Sequence, residues 1–344
     1  MGDLGEHLPL TSRVVVRWRL ETPDPTTGAT LTDTVGELLS RTEQELTIGT
    51  SSGEVVVARD RVVAAKEVPP KPTRTGAPHR TTSVADLQRL VTPSWGAVES
   101  ESLGGWVLRA SSGFTQRGNS VVPLGDPGLP LSSALDRVEQ WYAARGLPAK
   151  VTLAGPEGFD PAADPLGALL VDRGYTVGSR SLTMTAPTDR VASADPGGPE
   201  VVIEETLTAG WLQGYPRGEG VDPAVLRGVL EGSPRQLFAS TIPGGGLSQQ
   251  LGLRERGAAG TTPVAVGRLA LAHGWAGLGA VRTDPAYRGR GLAAHLTARL
   301  ARAALDEGVR LVHLQVEADN EVAIRLYERM GFERHSGYVY LTQP

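Results

Sequence analysis

The chain has 344 residues, a formal net charge of -4, 40% hydrophobic and 21% charged residues, the make-up of a globular protein with more than one core, which excludes a disordered tail or a general polyanion binder. No cysteine occurs, so a disulfide framework, a thiolate metal site and a cysteine nucleophile are excluded together. The first ten residues, MGDLGEHLPL, hold no basic segment followed by an apolar one, and no run reaches the roughly 18 apolar residues of a membrane span, so a cytoplasmic protein without a membrane partner is expected.

Residues 1–70 read as a small β-barrel, with short strands at 12–20, 31–40, 44–49 and 54–58 separated by Pro, Gly and Thr turns and the Ser52-Gly53 corner. Within the first strand, alternation puts Val14, Val16, Trp18 and Leu20 on one face and Arg13, Arg17 and Arg19 on the other. The three arginines suit a solvated face or a patch for nucleic acid or an acidic protein, and the overall acidity favours the solvated face. A proline-rich stretch at 68–78 follows as a semi-rigid linker.

A second block, 80–187, is expected to hold strands at 105–110, 119–124, 149–153 and 176–185 and a helix at 131–145. A further helix ends at Arg173-Gly174-Tyr175, where glycine is the natural C-cap. Trp106, Phe114 and Trp141 are its expected core. Residues 186–198, APTDRVASADPGG, are polar and read as a second linker.

The third block, 200–344, is expected to run strand (200–205), helical region (207–231), and strands at 236–241, 249–256, 262–271 and 275–283. After a glycine-rich loop come a helix (292–307), a strand (310–317), a helix (321–330) and a last strand (333–341). Strands flanked by helices on one sheet make a mixed α/β or α+β domain. The segment Leu169-Leu170-Val171-Asp172-Arg173-Gly174-Tyr175 echoes Tyr327-Glu328-Arg329-Met330-Gly331-Phe332, and similar elements precede both, which points to an internal duplication.

The residues that carry chemistry start at Asp284-Pro285-Ala286-Tyr287-Arg288-Gly289-Arg290-Gly291-Leu292-Ala293, between a strand and a helix with the apolar stripe Leu292, Leu296, Leu300 and Ala303. A helix start offers unpaired N–H groups and the positive end of the dipole, glycines let a pyrophosphate approach the main chain, and Arg288 and Arg290 add charge-assisted bonds. The loop has neither a Gly-Lys-Ser/Thr ending nor G-x-G-x-x-G spacing, so nucleotide loops that use the same physics do not fit.

It does fit the Arg/Gln-x-x-Gly-x-Gly/Ala pattern, through Arg288, Gly291 and Ala293, and thereby resembles the GNAT superfamily of N-acetyltransferases. Asn320, Ala323, Leu326, Tyr327, Gly331 and Phe332 reproduce that family's Asn-x-x-Ala-x-x-Leu-Tyr-x-x-x-Gly-Phe segment, and Val281, Arg282 and Thr283 match the strand before the loop. The resemblance implies acetyl-CoA as co-substrate and an amine as acceptor. It implies that the main chain of Val281–Thr283 pairs with the pantetheine and that Arg288, Gly289, Arg290, Gly291, Leu292, Ala293 and Ala294 hold the pyrophosphate. Asn320 and Ala323 would lie along the pantetheine arm, and the Tyr327 hydroxyl would protonate the departing thiolate. Such direct transfer needs a positioned donor, a path for the amine proton and an acid, but no metal.

Periodicity by itself assigns Tyr327 to a core stripe with Ala323, Leu326 and Met330, makes Asn320 a helix N-cap and Gly331 a C-cap. In Leu311-Val312-His313-Leu314-Gln315-Val316-Glu317, alternation sets His313, Gln315 and Glu317 on one face. If that face lines the acceptor cleft, Glu317 or His313 is the base. His273 and His295 are weaker candidates, and His335 is expected at the surface.

Where the duplication would place a second phosphate loop stands Gly125-Asp126-Pro127-Gly128-Leu129-Pro130, with an acid and no arginine, which repels a pyrophosphate. The expectation is therefore a small barrel at 1–70, a degenerate lobe at 80–187 and a catalytic lobe at 200–344. The leading block resembles an SH3-like barrel, and a set of bacterial acetyltransferases combines such a barrel with a degenerate and a complete lobe. The alternatives are a non-catalytic acetyl-CoA sensor, and a nucleic-acid- or protein-binding module acting through the barrel. Oligomeric state, monomer or homodimer, is open, because a duplication can replace a dimer. The acceptor side, expected near 207–231 and 243–250, carries no motif that names a substrate.

Overall fold

A computed structural model describes residues 8, 10, 12–23, 28–50, 53–68, 77–242 and 262–344. The strand expected at 249–256, the glycine-rich segments 244–246 and 257–261 and most of the 68–78 linker lie outside them. The chain divides into two compact units, and no helix among the described residues is long and apolar enough to cross a membrane.

The first unit is dominated by strands β1 (Arg13–Arg19), β2 (Leu31–Arg41), β3 (Glu45–Thr50), β4 (Gly53–Ala58) and β5 (Val62–Glu67), in an antiparallel sheet of order β4-β3-β2-β1-β5. Val14 and Val16 are buried among Leu38, Leu46, Ile48 and Val57, as alternation requires. Trp18 is only half-buried and donates its indole N–H to Thr34 Oγ1 at 2.9 Å. The fifth strand is absent from the expected set because it pairs with β1 alone and buries only Val62, so its pattern does not alternate. On the polar face Arg17 forms a bidentate pair with Asp33, both bonds 2.7 Å, which cancels one charge of the arginine row.

A short sheet of β6 (Glu99–Leu103), β7 (Trp106–Ala110) and β8 (Val122–Pro123) leads into the helix Leu131–Ala143. β8 is shorter than the strand expected at 119–124, because Asn119 has another task. Its side-chain oxygen accepts the N–H groups of Ser111 (2.8 Å) and Gly113 (3.0 Å), and its amide donates to the carbonyls of Phe114 and Thr115. That clamp fixes the 3-10 turn Arg117–Asn119. Trp106 and Phe114 are buried, but Trp141 is not: half-buried, it donates to Glu101 at 2.7 Å under the Arg145 guanidinium, and Tyr142 takes the core position.

The remaining strands are β9 (Lys150–Gly155), β10 (Thr176–Pro187), β11 (Val201–Glu204), β12 (Arg235–Thr241), β13 (Ala265–Ala272), β14 (Trp275–Thr283), β15 (Leu311–Glu317) and β16 (Glu333–Thr342). They form one eight-stranded sheet of order β11-β12-β13-β14-β15-β10-β16-β9. All neighbours are antiparallel except β14 and β15. β10, from the middle block, lies between β15 and β16 of the last block, and β16 lies between β10 and β9 of the middle block. Each block's last strand thus fills a slot in the other's, and a continuous ladder joins the two. The linker expected at 186–198 contains a helix, Thr188–Ser193, with Val191 and Ala192 buried, since a chain leaving a central strand must cross the core face. The helix Leu292–Asp306 packs Leu292, Leu296 and Leu300 against β13 and β14.

Candidate active site

β14 and β15 run parallel from Trp275↔Leu311 to Leu278↔Leu314 and share no register pair beyond it. The cause lies on the other edge of β14. Ala280 has φ 52°, and the β13–β14 register shifts between Val266↔Arg282 and Arg268↔Gly279, so Ala280 and Val281 oppose the single residue Gly267. Such a bulge bends and twists a strand away from its neighbour. The main chain of 279–283, including Val281, Arg282 and Thr283, is left with one edge free of strand partners among the described residues. The Arg282 side chain is engaged elsewhere, donating to the Gly214 carbonyl at 3.2 Å.

After β14, Asp284 accepts the Ala286 N–H at 2.8 Å and sets the turn Pro285–Tyr287. Gly289 (φ 74°) and Gly291 (φ 76°) adopt left-handed conformations that L side chains resist. Gly291 is the N-cap of Leu292–Asp306, and no side chain caps it. The first turn, Leu292, Ala293 and Ala294, therefore holds N–H groups that no N-cap side chain accepts and no acidic residue of its own, at the positive end of the helix dipole. Arg288 and Arg290 are exposed and, among the described residues, form no ion pair. Arg288 reaches back to the Thr283 carbonyl at 3.5 Å, and Arg290 lies 5.0 Å from the Tyr287 ring and donates to the Ala286 carbonyl at 3.3 Å.

Asn320 caps the helix Glu321–Arg329, its Oδ1 accepting the Ala323 N–H at 3.2 Å. Tyr327 is buried in the core with Leu292, Ala294 and Val316, edge-to-face with Phe332 at 5.6 Å. Burial pushes its phenol up to about 12. Gly331, φ 96°, follows the helix as its glycine stop.

On β15, Val312, Leu314 and Val316 are buried in the same core, while His313 and Gln315 turn to the other face; both line one cleft, and Gln315 also lines a second that shares Val91 and Arg117 with it. One is bordered by Ser94, Trp95, Arg117, Arg268, Gly277 and Gly279. The second is bordered by Gln88, Arg109, Arg117, Thr152, Tyr338 and Tyr340. Glu317, the expected base, is exposed at the strand end and lines neither. His313 is 4% exposed, its Nε2 3.1 Å from Ser94 Oγ. Burial, with the Arg117 charge, depresses its pKa to about 3, so it stays neutral and is a weak base.

The other histidines leave the site. His273 occupies the exposed turn before β14 with φ 50°. His295 is buried, with Nδ1 2.6 Å from Asp195 and Nε2 2.9 Å from the Pro199 carbonyl. His335, expected at the surface, is half-buried with Nε2 2.8 Å from the Thr82 carbonyl.

Arg109, Arg117 and Arg268 were not among the expected site residues. The signal was there for two: Arg109 sits in Trp106-Val107-Leu108-Arg109-Ala110 and Arg268 in Ala265-Val266-Gly267-Arg268-Leu269-Ala270, and an arginine inside an apolar strand demands an explanation. Arg117 lies in a polar loop and gives no such signal.

Residues 81–341 match the family model described as "Probable histone acetyltransferase Rv0428c C-terminal", and residues 8–66 match "Rv0428c N-terminal Sm-like domain". The N-acetyltransferase YobR of Bacillus subtilis is 26% identical over 261 residues, 75% of this chain and 97% of its own. The probable histone acetyltransferase Rv0428c of Mycobacterium tuberculosis is 33% identical over 138 residues, 40% of this chain and 42% of its own. The mycothiol acetyltransferase of Nocardiopsis dassonvillei is 48% identical over 64 residues, 19% of each chain.

Proposed function

Because the chain belongs to the Rv0428c acetyltransferase family, within the GNAT superfamily of N-acetyltransferases, we propose that it transfers acetyl directly from acetyl-CoA to a primary amine of a small molecule or protein. The observation that carries this reading is the uncapped, glycine-rich start of Leu292–Asp306, flanked by two arginines that form no ion pair among the described residues and by the open edge of β14. A pyrophosphate fits there: Gly289 carries no side chain and none of its surroundings lies within 4 Å of where one would start, so the main chain is approachable.

In this reading 1–70 is a small barrel, 80–187 a degenerate lobe and 200–344 the catalytic lobe. Arg288 and Arg290 bind phosphate oxygens together with the N–H groups of 289–294, and the main chain of Val281–Thr283 holds the pantetheine amides. Asn320 and Ala323 flank the same arm. When bound, acetyl-CoA supplies the acetyl group as a thioester. Tyr327, held protonated by burial, gives its proton to the thiolate. Glu317, the solvent-exposed carboxylate on the acceptor face of β15, takes the amine proton to water; the depressed pKa of His313 disqualifies it.

The test is incubation with isotopically labelled acetyl-CoA, a panel of small amines and lysine-bearing peptides, read by mass spectrometry. Label on an amine nitrogen is expected. Binding of acetyl-CoA with label on no amine contradicts the proposal and leaves a sensor.

A further inference from the structure

Arg109, Arg117 and Arg268 converge from β7, the 117–119 turn and β13 onto the two clefts beside β15. Arg109 is 5% and Arg268 0% exposed. Among the described residues, none of the three meets a carboxylate. Arg268 is satisfied by neutral acceptors, the carbonyls of Leu230 (2.6 Å) and Ser94 (2.8 Å) and Ser233 Oγ (2.6 Å). The Arg109 guanidinium bonds to Ser120, at its carbonyl (3.3 Å) and its hydroxyl (3.1 Å).

Arg117 borders both clefts and is the least satisfied. Its guanidinium stands 5.0 Å from the Trp95 ring, its Nη2 reaches Tyr338 Oη at a long 3.3 Å, and its Nε is buried without an acceptor. The three charges feel one another: burial and the Arg117 charge push the other two guanidiniums down, to about 10 and about 9, and both still carry charge at neutral pH. Buried charges in folded proteins are paired or ligated. Among the described residues Arg117 has only the Tyr338 and Tyr340 hydroxyls, which hold its pKa up against burial, and no carboxylate.

The cleft bordered by Arg268 also reaches Gly277, Leu278 and Gly279, the point at which β14 parts from β15. On the reading given under the proposed function, that is where the thioester would sit. The clefts have cavity volumes of about 10 and 20 Å³, each room for about one water-sized group, which is too little for a phosphate. A guanidinium is matched to a carboxylate by its planar fork.

We infer that the acceptor amine carries a carboxylate, which docks on Arg117 between the two clefts, with Tyr338 and Gln315 as further donors and Arg109 and Arg268 as fixed positive background. The acceptor is thus an amino-acid-like zwitterion, and Arg117 is a specificity-determining residue supplied by the lobe that lacks the phosphate loop.

The inference rests on the acetyltransferase reading for its choice of acceptor but has its own test. Thermal unfolding of the full chain is followed with increasing propionate, and with propionamide, at constant ionic strength set by chloride. A saturating rise in Tm with propionate, none with propionamide, and loss of the rise in Arg117→Gln are expected. Arg117→Lys keeps the charge without the fork and should raise the half-saturating concentration several-fold. No saturating rise, an equal rise with propionamide, or a rise that survives in Arg117→Gln overturns the inference, the last by placing the anion elsewhere. If Arg117→Gln does not fold, the propionate–propionamide contrast and Arg117→Lys still decide.

With labelled acetyl-CoA, 4-aminobutyrate should exceed its carboxamide at least tenfold in kcat/KM, and this ratio should collapse in Arg117→Lys or Arg117→Gln. Equal values contradict the inference. Failure of acetyl-CoA to bind while propionate still saturates would remove the proposed function and leave the anion pocket standing.

Discussion

At Gly125-Asp126-Pro127-Gly128, ahead of the helix Leu131–Ala143, the Asp126 carboxylate accepts the Gly128 N–H at 2.8 Å. At Arg288-Gly289-Arg290-Gly291, ahead of Leu292–Asp306, no side chain caps the helix and two arginines flank it. The first junction carries its own anion; at the second, the proposed function places the pyrophosphate of acetyl-CoA. The same contrast recurs at the next helix of each block. Gly174 (φ 82°) and Gly331 (φ 96°) end their helices alike, with Tyr175 N–H bonded to the Leu170 carbonyl and Phe332 N–H to the Tyr327 carbonyl, both 3.0 Å. Leu170 therefore stands where the other block has Tyr327. The strands preceding these helices read Val151-Thr152-Leu153 and Val312-His313-Leu314, with a threonine in place of the histidine. The two blocks share these backbone features and differ in the side chains that the proposed chemistry uses.

The harshest way to break this comparison is to reverse charge at the second junction. Arg288→Glu with Arg290→Glu should lower acetyl-CoA affinity by at least about 100-fold, since two charge-assisted bonds of about 1.5–3 kcal/mol each are lost. Asp126→Arg, at the first junction, should change it by less than about twofold, because one added charge does not make a cradle. Calorimetric titration of both variants checks this; a comparable loss in each contradicts the asymmetry.

Tyr327→Phe comes next. It removes an acid and keeps the ring that packs on Phe332, so kcat should fall by about 100-fold, the lower end of the range for a general acid. Acetyl-CoA affinity and Tm should stay close to those of the unaltered chain. Steady-state kinetics decide, and an unchanged kcat assigns Tyr327 to the core alone.

The smallest effect concerns pH. His313 has a folded pKa of about 3 against about 6.5 for an ordinary histidine, so between those values the unfolded chain binds the extra proton. Stability should be flat above pH 6.5 and fall as pH drops toward 3, by at most about 1.4 kcal/mol per pH unit from this group. His313→Thr, which copies the other block, should make the decline shallower by that amount in urea titrations from pH 7 to 4. An unchanged slope would mean that His313 does not titrate with unfolding.

Much of the molecule was legible in the sequence where signals are local. Alternation found Val14 and Val16 inside β1, and a helix stripe found Leu292, Leu296 and Leu300. Asn320 as N-cap and the glycines after both short helices follow from residue chemistry. The shared sheet was not legible, because the pairing of β10 with β15 and β16 joins residues far apart in sequence, and nothing in Thr176–Pro187 names its partner. The second linker was misread because Thr188–Ser193 is short and Val191-Ala192 is a weak apolar signal. Of the site, the loop and Tyr327 were readable from contiguous motifs. The arginine pocket was not, since Arg117 comes from a loop shaped by Asn119, and its neighbours Trp95, Arg268 and Tyr338 come from three other segments. Glu317, expected from alternation on the face of His313 and Gln315, lies exposed at the strand end, outside the clefts.

The central claim is one cofactor site in a chain with two similar blocks. Isothermal titration of the full protein with acetyl-CoA tests it most directly. One site per chain is predicted, abolished by Arg288→Glu with Arg290→Glu. Two sites per chain, or no heat up to millimolar acetyl-CoA, would contradict the account.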